Sequence, residues 1–84
     1  MTDASSPLKA LARIAADDWD GAHALVQDDE SAEAAWVHAH LHRVEGDLEN
    51  ARYWYRKAGK TPATGDFVAE RRAIEKALER ARLR

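Results

Sequence analysis

The sequence predicts an all-α domain of about five short helices: two antiparallel hairpins and a C-terminal helix that closes the open end. Three observations carry this. Apolar residues recur at spacings of three and four, with no period-two runs that would mark strands. Capping residues and glycines punctuate the chain at intervals that suit short helices. A segment of the first half is echoed in the second.

Ser6-Pro7 is a helix start, a capping hydroxyl followed by proline where a missing N–H costs nothing. Leu8, Leu11, Ala12 and Ala15 supply the first apolar stripe, and Asp17-Asp18 interrupts it. Asp18 caps a second helix, about Trp19 to Gln27, with Trp19, Ala22 and Val26 on one side. Gly21 inside it costs about 1 kcal/mol relative to alanine, so that helix needs packing to persist. Ser31 caps a third helix reaching about Glu45, with Ala34, Val37, Leu41 and Val44 inward, and Gly46 ends it in the left-handed conformation. Asp47 caps a fourth, with an inner stripe of Leu48, Ala51, Tyr55 and Ala58, closed by Gly59. Residues 60–66 form a loop broken by Pro62 and Gly65. Asp66 caps the last helix, which turns Phe67, Ile74, Leu78 and Ala81 inward. Its charges, from Glu70 and Arg71 to Glu79 and Arg80, read as a solvated face.

The totals bound the function. With 84 residues there is one domain, spanning 1–84 with a flexible stretch at 1–5. A chain of this size buries about 60% of its unfolded surface, so the core is thin and self-association would help it. It has no cysteine, which excludes disulfides and zinc–thiolate sites. No signal peptide and no run of about 20 apolar residues is visible, so the expectation is a cytoplasmic protein without a membrane role. Net charge is −2, unevenly spread: residues 1–33 hold eight acids against Lys9 and Arg13, and the remainder holds eleven bases against seven acids. Adjacent helices neutralising one another explain this; a steered partner, or two copies paired head to tail, is the alternative.

The echo sets Asp18-Trp19-Asp20-Gly21-Ala22 beside Asp47-Leu48-Glu49-Asn50-Ala51, with Val26 answering Tyr55. Such repeated hairpins mark helical solenoids. The second hairpin, about residues 33–60, resembles the tetratricopeptide repeat. Ala39, Ala51 and Ala58 fall at its small positions, Gly46-Asp47-Leu48 at its turn and Tyr55 at its aromatic. The 29-residue spacing from Ala22 to Ala51 is shorter than that family's ~34. Trp36 sits one position late, and His38 and His42 replace a leucine and an aromatic. The family's peptide groove therefore does not carry over. The stretch also resembles a group of small, uncharacterised bacterial proteins with a His-Arg-x-Glu-Gly-Asp…Asn-Ala-x-Tyr-Trp-Tyr core, a likeness that implies no activity.

Two sets of residues exceed what a hairpin requires. Trp36, Tyr53 and Trp54, with Asn50 and the arginines Arg43, Arg52 and Arg56 nearby, are suited to a contact surface, where tryptophan, tyrosine and arginine concentrate. His38 and His42 stack one turn apart with Glu45 continuing their strip, His40 points away, and His23 can face them from the second helix. Two imidazoles at i, i+4 plus a carboxylate is workable metal geometry. The zincin pattern is absent, however, and hydrogen-bonded structural histidines are the simpler reading. The sequence thus points first to a non-enzymatic protein–protein interaction module, self-associating as a homo-oligomer, with no cofactor and no metal. The alternative is a small metal- or ligand-binding protein, conceivably an enzyme, built on His38, His42 and Glu45. A pI near 6.0 and an acidic first third argue against nucleic acid.

Overall fold

A computed structural model describes residues 6–82; the stretch 1–5 expected to be flexible lies outside the described residues. Five helices follow in order: α1 (Ser6–Ala15), α2 (Trp19–Val26), α3 (Ala32–Glu45), α4 (Leu48–Ala58) and α5 (Phe67–Arg82). No strand occurs among the described residues. The all-α class and the five elements match the sequence reading.

The turns form as their residues dictate. Asp18, Ser31, Asp47 and Asp66 each accept a hydrogen bond from a backbone N–H three residues on, satisfying a first-turn donor that has no helical partner. Gly46 and Gly59 end α3 and α4 at φ 93° and 71°. The next N–H reaches back to His42 O and Tyr55 O respectively, the double-bonded left-handed stop. Asp17 does the same for α1 at φ 61°, with Asp18 N bonded to Arg13 O at 2.8 Å. The echoed segments therefore share one local design: a left-handed stop, a capping aspartate, then a helix.

α3 is the axis of the molecule. It packs against all four other helices, and α1 also touches α2 and α5, so α4, α5, α1 and α2 follow one another around it. Among the described residues, α4 packs its backbone on α3 alone, and α5 lies on α1 and α3 without approaching the backbone of α4. The main core joins Ala10, Leu11, Ala22, Val26, Ala34, Val37, Leu41, Ile74 and Leu78; a smaller one joins Ala39, Ala51 and Tyr55.

This arrangement corrects several inward assignments. Val44, Leu48 and Phe67 are 36%, 55% and 44% exposed, and Ala81 is exposed as well. Val44 and Leu48 flank the Gly46-Asp47 turn that joins α3 to α4. The ring of Phe67 lies 4.7 Å from the Arg43 guanidinium carbon and caps it instead of entering the core. In α1 the buried face is Pro7, Ala10 and Leu11, rotated from the expected stripe, and Ser6 is its first helical residue instead of its cap. Glu70, assigned to the solvated face of α5, is buried.

Candidate functional site

Because α3 packs against all four other helices, polar residues of its middle are buried along with apolar ones: His38, His40, His42 and Arg43 all lie in the interior. They divide between two seams, one on each side of α4.

Toward α5, the Glu70 carboxylate is the hub. His40 Nδ1–H donates to Glu70 Oε1 at 2.6 Å, Arg43 Nη1 donates to the same oxygen at 3.0 Å, and the Tyr55 hydroxyl donates to Oε2. A second Arg43 nitrogen donates to Gly65 O, which fixes the loop before α5. Burial alone would raise the Glu70 carboxyl. The hydrogen bonds from His40 and Tyr55, the charge of His40 and the bond from Arg43 outweigh it and hold the group below its ordinary value. Burial, and then the bond to Glu70, pushes the Tyr55 hydroxyl well above the usual tyrosine range. Both Glu70 oxygens accept from donors of the interior, so this seam is a structural lock joining α3, α4 and α5.

Toward α2, three imidazole rings converge. His38 Nε2 and His23 Nε2 are 3.1 Å apart, and His38 stacks on His42 at 4.9 Å between centroids. His42 Nδ1–H donates to Glu45 Oε1 at 2.7 Å, which leaves its Nε2 as a lone pair, 3.4 Å from Asn50 Nδ2. Indoles close the group on two sides: Trp54 stacks on His38 at 3.8 Å and Trp19 on His23 at 4.9 Å. Trp19 is itself held to α3 by a 2.9 Å bond from Nε1–H to Leu41 O. His38 is 3% exposed, and its Nδ1 is buried without a hydrogen-bond partner. Burial, then the neighbouring His42 and His23, lowers its pKa to about 4, so the ring is neutral at pH 7.

No family model, curated protein or solved structure matches this chain.

The structure brings His23, His38, His42 and Glu45 together as the spacing implied. It separates the contact-surface residues. Arg43 is buried in the lock and does not rim a surface. Trp36 is half-buried between the two cores, with Lys60 Nζ 4.3 Å from its ring, and borders two depressions against α5. Trp54 covers the histidines instead, and borders a depression against the turn at 27–31. Tyr53 and Arg56 are exposed, and Asn50 reaches His42.

Sequence reasoning missed Glu70, His40 and Trp19 as site residues. A signal existed for the first: Glu70 precedes Ile74 and Leu78 by one and two turns, so it occupies a position on the inward stripe.

Proposed function

We propose that this chain is a non-enzymatic interaction module of tetratricopeptide-like helical hairpins that self-associates through the groove between α5 and the stretch 58–66. The observation that carries this reading is the open seam itself. α4 and α5 both rest on α3 while their backbones stay apart, and Trp36 borders a channel between α5 and the stretch 58–66. Its two depressions measure about 350 and 260 Å³, with Ala63, Ala69, Ala73 and Ile74 along one and Ala58, Ala77, Leu78 and Ala81 along the other. Small side chains on the wall of α5 admit a guest backbone closely, and a tryptophan with a lysine over its ring is a strong anchor.

Outside the depressions, whose charged lining is Lys60 with Glu33, Asp66 and Glu70, residues 34–84 carry the basic excess, and the acidic excess lies in residues 1–33. A second copy therefore brings the complementary surface, and reciprocal docking closes at a two-fold dimer.

Light scattering over a concentration series at low and high salt tests this. The expected result is a mass above the monomer at low salt that falls toward the monomer as salt screens the contact. Ala77→Glu, on the exposed wall of the groove, should be monomeric throughout with an unchanged helical spectrum. A wild-type chain that stays monomeric at every concentration, or an Ala77→Glu chain that associates as well as wild type, would overturn the reading.

A further inference from the structure

The seam on the other side of α4 carries a separate inference. We infer that His23, His38 and His42 form a binding site for one divalent transition-metal ion of the zinc class, with Glu45 positioning His42.

Geometry comes first. One ring nitrogen from each of the three histidines lies within 4.8 Å of the others. The 3.1 Å between His23 Nε2 and His38 Nε2 is close to the edge of a tetrahedron of nitrogens around zinc, about 3.3 Å for bonds of about 2.0–2.1 Å. Loading the site then requires the His42 nitrogen to close toward the other two. His38 and His42 are adjacent turns of one rigid helix, and His23 comes from α2, so the ion would tie the first hairpin to the second.

The protonation pattern fits the same conclusion. Glu45 accepts a hydrogen bond from the Nδ1–H of His42 and leaves the Nε2 lone pair for coordination, the carboxylate–histidine–metal arrangement that orients a ligand and raises its basicity. Neither nitrogen of His38 is bonded outside the cluster: one meets His23, and the other is buried without a partner. Hydrogen bonding alone therefore leaves this ring incompletely satisfied in either tautomer. In the lock around Glu70, by contrast, the carboxylate and the groups that meet it are matched.

The donor set selects the ion. Three imidazoles with no oxygen among them suit zinc, nickel, copper and cobalt, and disfavour magnesium and calcium. Trp19 and Trp54, stacked on His23 and His38, hold the rings in place and keep water from two sides. His42 with Glu45 and Asp47 also converges. Its two carboxylates are exposed, and one of them is already engaged as the cap of α4, so that set does not compete.

The test is titration of chelator-treated full-length chain with zinc by calorimetry and with cobalt by absorption. One ion per chain is expected, with the intense visible bands of cobalt in a low-coordinate nitrogen site. His23→Ala, at the half-exposed ligand, should abolish those bands while leaving the helical spectrum in place. Glu45→Gln should weaken zinc by about 10-fold or more. Cobalt that retains its hexa-aquo spectrum with the wild-type chain overturns the inference. So does a folded His23→Ala chain that binds zinc as tightly as wild type.

Discussion

His40 Nδ1 and Glu70 Oε1 meet at 2.6 Å between α3 and α5, in a place where His40 is 1% exposed. A carboxylate that accepts from a histidine, an arginine and a tyrosine cannot be removed without leaving buried donors unpaired. Glu70→Ala should therefore cost about 3–5 kcal/mol, enough to unfold a domain of this size, whereas Glu75→Ala on the exposed side should change stability by less than about 0.5 kcal/mol. Chemical denaturation of both variants provides the comparison.

The same carboxylate sets an acid limit. Its folded pKa lies below the ordinary value of 4.5, so the folded state binds fewer protons there. The stabilisation is present above the ordinary value and is lost as pH falls through the folded one. Glu70→Gln should be less stable than wild type at pH 7, and the gap should narrow progressively below pH 4.5.

His38 acts over a higher window in the metal-free protein. Its neighbours are His23 from α2, His42 and Trp54, and none of them supplies a negative charge. The unfolded ring protonates near 6.5 and the folded ring only near about 4, so the unfolded state gains as pH falls between them. That linkage amounts to about 3 kcal/mol lost from pH 7 to pH 4, and His38→Phe should flatten this part of the stability profile.

Gly21 exchanges an expected weakness for a reason. A methyl group there would lie 2.1 Å from Asp18 Oδ2, the carboxylate that caps α2 by accepting from Gly21 N. Alanine gains up to about 1 kcal/mol of helix propensity, but it displaces a cap worth about the same or more. Gly21→Ala should accordingly fail to raise the melting temperature, and Gly21→Ala combined with Asp18→Ala should be less than additive.

Trp19 joins α2 to α3 through one directed bond. Trp19→Phe keeps a ring over His23 and deletes the donor to Leu41 O, for an expected loss of about 1 kcal/mol in thermal unfolding.

What the sequence made legible follows from local chemistry. Asp18, Ser31, Asp47 and Asp66 announced the helix starts because capping is a contact within three residues. Gly46 and Gly59 announced ends because few residues accept positive φ. The stacking of His38, His42 and Glu45 followed from helical spacing alone. The packing of α5 was not legible in this way. Its lie on α1 and α3 decides that Phe67 caps Arg43 and that the inward-facing Glu70 meets His40 and Arg43. Those outcomes depend on contacts some 30 residues apart, which no periodicity encodes. Arg43 illustrates the cost: charge suggested a surface, while the buried Glu70 that claims it lies 27 residues away.

Along α3, His40 belongs to a structural lock, whereas the site proposed for a metal ion takes His38 and His42 together with His23 of α2. Long-range proton–nitrogen NMR of the four imidazoles at pH 7, recorded before and after one equivalent of zinc, reads all of them at once. The ring nitrogens of His23, His38 and His42 should shift together while those of His40 remain unchanged. A spectrum in which zinc moves none of the three, or moves His40 as much as the others, would contradict this assignment.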